Sequence, residues 1–189
     1  MELDFQAQYV AAKVFGQPYI SEHIYDCAFK ISQAMNPDGS TLYLGVLRGG
    51  YWFTTHLTDC LPNGRVEFII AHSYEKDGHR SELTIDFMPT FESGEIFDNI
   101  IIIDDICDSG QTLKQLKEKM QELYPEAKVL TAALVQKISS PNPADFAAIQ
   151  DTTNTFYYGC GMDKPDGTAR NCVSLCAVDP TEVPGYEGH

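Results

Sequence analysis

Apolar positions change their period several times along the chain. In "ISEHIYDCAFKISQAM" (20–35), Ile20, Ile24, Ala28, Ile31 and Met35 recur at helical spacing, with Ser21 placed as a cap. "TLYLGVL" (41–47) is a strand-length apolar run that stops at Arg48-Gly49-Gly50, and "YWFTTHLTDCL" (51–61) has the pattern of a helix. "RVEFIIA" (65–71) predicts a second strand. "NIIIID" (99–104) predicts a third, apolar on both faces as in a parallel sheet covered on both sides. "TLKQLKEKMQEL" (112–123) sets Leu113, Leu116, Met120 and Leu123 on one side of a helix, and "KVLTAALVQ" (128–136) predicts a fourth strand. Strands alternating with helices predict an α/β fold with a mostly parallel sheet.

Two stretches break this rhythm. Residues 72–94, "HSYEKDGHRSELTIDFMPTFESG", are polar and rich in turn residues; so long a connection is expected to be functional. Beyond Ser139 the chain is turn-rich, then carries short β-like pieces at 154–161 and 171–179, expected as an appendage packed over the sheet. With 189 residues the chain fits one domain.

Composition narrows the function classes. A net charge of −14 argues against a nucleic-acid surface, and no apolar run approaches the length of a membrane helix. The first residues carry acids and no basic segment followed by an apolar one, so the expected location is the cytoplasm. Cys27, Cys60 and Cys107 sit in apolar segments and are expected as small core residues. Cys172 and Cys176 have no partner at zinc spacing, and all six cysteines are expected as reduced thiols.

The candidate chemistry lies in "IIIIDDICDSGQTL" (100–113), where the most apolar segment runs into Asp104, Asp105 and Asp108. In an open parallel sheet, ligands bind at the carboxyl ends of the strands. "DSGQT" then opens a helix, where backbone N–H groups, hydroxyls and the helix dipole favour an anion. Carboxylates beside a phosphate cradle suit a ligand with both hydroxyls and phosphate, a sugar phosphate, and they can help hold a hard cation. The bland alternative for Asp104 and Asp105 is loop acids, and for Asp108 a helix N-cap.

These residues resemble the phosphoribosyl pyrophosphate (PRPP) signature of the type I phosphoribosyltransferases. Further segments resemble their purine branch, the hypoxanthine-guanine phosphoribosyltransferases. "YLGVLRGGYWFTTHL" is similar to that family's pyrophosphate loop, with Leu47, Arg48 and Gly49 at the loop. "HSYEK" resembles the start of its mobile loop, with Ser73 and Tyr74. "ALVQK" resembles the strand ending in the purine-reading lysine, here Lys137. "FYYGCGMD" resembles the base-pocket segment, with Phe156, Tyr157 and Asp163 in register and Arg170 following. The chain departs from the family after Lys137, where "KISSPNPADF" lacks the usual arginines, and around Asp163, where Cys160, Met162 and Lys164 stand.

The resemblance implies a single phosphoribosyltransferase domain over 1–189. Its core would span about 36–150, its mobile loop about 72–94, and a small hood would form from the chain ends, about 1–20 and 151–189. It implies purine salvage: ribose-5-phosphate moves from PRPP to hypoxanthine or guanine, giving IMP or GMP and pyrophosphate. By the same resemblance Asp108 is the general base at the purine N7. Asp104, Asp105, Asp108, Ser109, Gly110, Gln111 and Thr112 hold the ribose and 5-phosphate. Leu47, Arg48, Gly49 and Arg170 hold pyrophosphate. Lys137, Phe156, Tyr157 and Asp163 hold the purine, and Asp104, Asp105 and Asp163 share magnesium, Mg2+. A homodimer or homotetramer is implied as well. Competing readings are a PRPP-sensing regulator without activity, a phosphoribosyltransferase for xanthine or another base, and a phosphatase-like or receiver-like protein using the acidic pair.

Overall fold

The computed structural model describes residues 13–76, 79–91, 94–153 and 155–183, with backbone alone for 72–76, 79–83 and 182. In chain order the elements are β1 (Lys13–Phe15), α1 (Gln17–Ala34), β2 (Thr41–Leu47), α2 (Tyr51–Thr58), β3 (Arg65–Lys76) and β4 (His79–Phe87). Then follow β5 (Asn99–Cys107), α3 (Gln111–Leu123), β6 (Lys128–Lys137), β7 (Phe146–Asp151), β8 (Phe156–Tyr158), β9 (Leu175–Val178) and a 3-10 turn at Pro180–Glu182.

Six strands form one sheet in the order β4-β3-β2-β5-β6-β7. All its pairs are parallel except β3–β4. Ile100, Ile101, Ile102 and Ile103 of β5 supply both faces and are fully buried. Ile101 and Ile103 pack with the α1 and α2 side, Ile100 and Ile102 with the α3 side, as strand alternation requires. β1, β9 and β8 form a second, antiparallel sheet that brings the two ends of the described chain together.

The structure corrects several local expectations. Helix α1 starts at Gln17 with Gly16 as its cap residue, so Ser21 lies inside the helix. Pro18 in the first turn supplies the start signal that Ser21 was expected to give, since its fixed φ suits that position. Helix α2 stops at Thr58, short of the expected 61, and Cys60 beyond it is exposed rather than core. Strand β5 does not end at Asp104; Ile106 and Cys107 still pair with Val135 and Gln136 of β6. The polar connection at 72–94 is largely a hairpin of β3 and β4. Its "ELTIDF" alternates apolar and polar residues, the period of a strand facing the core on one side only. Edge strand β7 went unseen, because "FAAIQD" is short and only half buried.

Candidate active site

Strands β2, β5 and β6 are parallel neighbours, so Leu47, Cys107 and Lys137 end at one edge of the sheet. Each strand end delivers a different group there.

From β5 come the acids. Asp104 and Asp105 are half-buried, and each accepts a backbone N–H: Asp105 N donates to Asp104 Oδ1 at 2.9 Å, Ile106 N to Asp105 Oδ1 at 2.8 Å. Burial, then repulsion from Asp105, holds the Asp104 carboxyl well above the usual carboxylate range. Burial also raises Asp105, opposed by its hydrogen bonds and by the charge of Arg170.

After β5 the chain turns through Asp108, Ser109 and Gly110 into α3. Gly110 is the cap residue, at φ 70° and with no side-chain cap bond. The N-cap alternative for Asp108 is therefore overturned: the cap lies two residues further on. A Cβ on Gly110 would also meet the Asn142 carbonyl oxygen at 1.7 Å. Asn142 Nδ2 in turn donates to the Ser109 carbonyl at 3.0 Å, and the Cys107 thiol donates to the Asn142 carbonyl at 3.4 Å. The turn-rich "SSPNP" stretch thus clamps the loop, a role with no signal in the sequence. Asp104, Asp108, Ser109, Gly110, Gln111 and Thr112 surround a cavity of about 100 Å³.

From β6 comes Lys137, only 3% exposed, its Nζ 3.0 Å from Asp108 Oδ2. A second cavity, about 190 Å³, is lined by both residues together with Asp105, Phe156, Met162 and Asp163. Ile106 and Asp108 belong to both cavities, which therefore adjoin. The two aromatics of β8 differ in burial. Phe156 is half-buried and Tyr157 is packed in the core, its hydroxyl pushed up to about 12 by burial and then by Asp151, yet both line this cavity. Both aromatics therefore border the space a base would take, Phe156 as the less buried of the two.

From β2 come Leu47, Arg48 and Gly49, with a cis Leu47–Arg48 peptide and an exposed Arg48. Gly49 lies against the acids: a Cβ there would fall 1.6 Å from Asp105 Oδ2. Gly161, at φ 100°, closes the other side, with its Cβ position 2.0 Å from the Gly49 carbonyl oxygen. Gly161 was not among the expected site residues; the "GCG" spacing was its only trace. Gly161→Ala is expected to lower stability by about 1–2 kcal/mol, because an L side chain is strained there even before the clash. Thermal melts against wild type measure this, and an unchanged midpoint would mean that the Arg48–Gly49 turn is not held from this side.

Arg170 and Asp163, expected in separate roles, form one ion pair of 2.5 Å, and Arg170 also donates to the Gly161 carbonyl at 3.0 Å. Among the described residues no three acids, histidines or cysteines converge as a metal site. The side chains of Ser73 and Tyr74 lie outside the described residues; their backbones pair with Leu83 and Glu82.

Comparison with known proteins agrees with this geometry. The family model "Phosphoribosyl transferase domain" matches residues 13–164. The chain is 28% identical over 160 residues to the hypoxanthine-guanine phosphoribosyltransferase of Dictyostelium discoideum, covering 79% of this chain and 86% of that one. It is 34% identical over 137 residues to the enzyme of the same name from Crithidia fasciculata, covering 67% of this chain but only 63% of the relative. Among solved structures, a point mutant of hypoxanthine phosphoribosyltransferase from Trypanosoma cruzi, complexed with the product IMP, superposes with a TM-score of 0.72 at 25% identity. That match covers 96% of this chain and 94% of the other. A family match over most of the chain, on a sheet edge that carries an acid pair, a Ser-Gly turn into a helix and a buried lysine, shows that the chain belongs to the phosphoribosyl transferase domain family, with hypoxanthine-guanine phosphoribosyltransferases among its relatives.

Proposed function

We propose that the chain transfers ribose-5-phosphate from PRPP to a 6-oxopurine, hypoxanthine or guanine, giving the nucleoside monophosphate and pyrophosphate. One observation carries this reading: Asp108 lines both cavities and is paired with Lys137, which lines the larger of them. A 6-oxopurine with its proton on N7 presents an acceptor, O6, beside a donor, N7–H, along one edge. Lys137 donates to the first and Asp108 accepts from the second. Adenine presents a donor where Lys137 needs an acceptor.

Bond making follows from the placement. The α3 loop holds the 5-phosphate through backbone N–H groups and hydroxyls. Asp104 and Asp105 accept from the ribose hydroxyls. The anomeric carbon then lies between the cavities, where the bond to pyrophosphate breaks and the bond to the purine forms. The N7 proton passes to Asp108, which becomes a useful base as the purine acidifies. Arg48 and the amide of Gly49 neutralise the departing pyrophosphate. Phe156 covers the base. Arg170 orders Asp163 and the Gly161 turn, and it adds positive charge towards Asp105.

The acid pair also fits magnesium. Two hard-oxygen donors raised by burial and, for Asp104, by mutual repulsion would be relieved by a divalent cation shared with PRPP. Asp104 and Asp105 would hold it, and it would supply charge neutralisation for the leaving group. The hairpin of β3 and β4 is the element placed to cover the site. A cytoplasmic homodimer or homotetramer belongs to the same reading; Tyr25 and Phe29, exposed one turn apart on α1, support an interface between copies.

The test is pyrophosphate release from PRPP and Mg2+ with each purine in turn. Hypoxanthine and guanine are expected to support turnover, and adenine to be rejected by about 10⁴-fold. Excess chelator should abolish turnover and leave the folded apo protein intact by circular dichroism. Release with adenine alone would overturn the Lys137 role, and full activity in chelator would overturn the metal.

A further inference from the structure

None of the six cysteines takes part in the proposed transfer, yet the fold gathers three of them. Cys160 is fully buried, Cys176 is 6% exposed, and Cys172 is half-exposed. The chain bends at 173–174, which folds Cys172 back towards Cys176. Cys176 pairs with Tyr158 across the β8–β9 ladder, and the Cβ of Cys172 lies 3.5 Å from the Cβ position of Gly159, the next residue along. The two cysteines thus lie along β8 and the residue that follows it, and the neighbouring Cys172 thiol helps to push the Cys176 thiol up. Lys164 lies over the Tyr158 ring, 4.8 Å from its centre.

We propose that Cys172 and Cys176 form a dithiol oxidation site whose reactant is a peroxide. The Cys172 thiolate attacks the peroxide O–O bond, becoming a sulfenic acid as the first water leaves. The Cys176 sulfur then attacks the Cys172 sulfur, a disulfide forms and a second water leaves. Two thiols give up two protons and two electrons, and one peroxide is reduced to two waters. Cys172 reacts first because it is open to solvent; Cys176 resolves because it is adjacent. Burial raises the Cys176 thiol, but the Tyr158 hydroxyl and the charge of Lys164 act against it.

The disulfide would act on the candidate active site through backbone contacts. The Cys172 carbonyl accepts from Cys160 N at 2.8 Å, and Gly161 N donates to the Arg170 carbonyl at 3.1 Å. Drawing Cys172 onto Cys176 therefore shifts the Gly161–Arg170 turn that backs Gly49. This consequence for activity rests on the proposed function; the disulfide itself does not.

The experiment treats the full chain with hydrogen peroxide, alkylates the remaining thiols and digests with trypsin. No lysine or arginine follows Arg170, so peptide 171–189 carries both cysteines, while Cys160 lies in a separate peptide. The expected product is peptide 171–189 lighter by two hydrogens and unalkylated, restored by a thiol reductant. It should form faster than exposed Cys60 is oxidised. Pyrophosphate release should fall severalfold and return with reductant, and Cys172→Ser and Cys176→Ser should both resist peroxide. Two alkylatable thiols after Cys60 has reacted, added oxygen in place of lost hydrogen, or a crosslink to the Cys160 peptide would each overturn the proposal. A chain inactive on every purine but still forming the disulfide would overturn the proposed function alone.

Discussion

Asp108→Asn is expected to slow single turnover with hypoxanthine by roughly 10²–10⁴-fold, the usual loss when a general base is removed. It is also expected to destabilise the protein, by about 1–3 kcal/mol. As a helix cap, Asp108 would be replaced by Asn at almost no cost. In the fold it instead accepts from Lys137, which is 3% exposed and 3.0 Å away. Asparagine offers one neutral oxygen to that ammonium, so the buried charge loses its carboxylate counter-ion. Adding Lys137→Met should recover stability without recovering rate, because the buried charge leaves together with its partner. Thermal melts and single-turnover rates of the two single variants and the double separate these terms. A fully active Asp108→Asn enzyme would remove Asp108 from the chemistry and leave it as the counter-ion of Lys137.

Asp104→Asn is expected to do the opposite to stability. Burial and the neighbouring Asp105 hold the Asp104 carboxyl above its ordinary value of 3.8. The folded state thus binds the proton more tightly than the unfolded chain. Wild-type stability from this group is highest below that unfolded value and is lost as pH rises through the folded pKa. The amide removes the penalty, so Asp104→Asn should melt higher than wild type at about pH 8, with the difference closing towards about pH 4. Function should suffer: losing a charged acceptor for a ribose hydroxyl costs about 1.5–3 kcal/mol, or roughly 10–100-fold in PRPP affinity. Titration calorimetry with PRPP and Mg2+ measures the second effect. An Asp104→Asn protein that binds PRPP normally, or melts lower at neutral pH, would break the link between the strained acid pair and the sugar site.

The two variants show how far side-chain type leads and where it stops. That Asp104, Asp105, Asp108 and Lys137 meet at one sheet edge was legible, because strand ends of a parallel sheet were countable and the resemblance was specific. Their relations were not. That Asp108 answers to Lys137, twenty-nine residues away, depends on β5 and β6 being neighbours in register. Arg170 and Asp163 were assigned to different ligands and proved to be each other's partner.

By itself the sequence determined the α/β architecture, because buried strands and amphipathic helices leave periodic apolar signals that need no partner to be recognised. It likewise determined the turn that opens α3, since "DSGQT" at a helix start carries its turn chemistry locally. Only the tertiary structure decided the rest: the β4 and β7 edges, where one-sided burial weakens the periodic signal; the Asn142 clamp on the loop; the Gly161–Gly49–Asp105 stack; and the gathering of Cys160, Cys172 and Cys176. Each of these is a contact between segments that are polar, small or irregular on their own. Their meaning comes from what packs opposite them, and pairwise proximity across the fold is not written in the local order of residues.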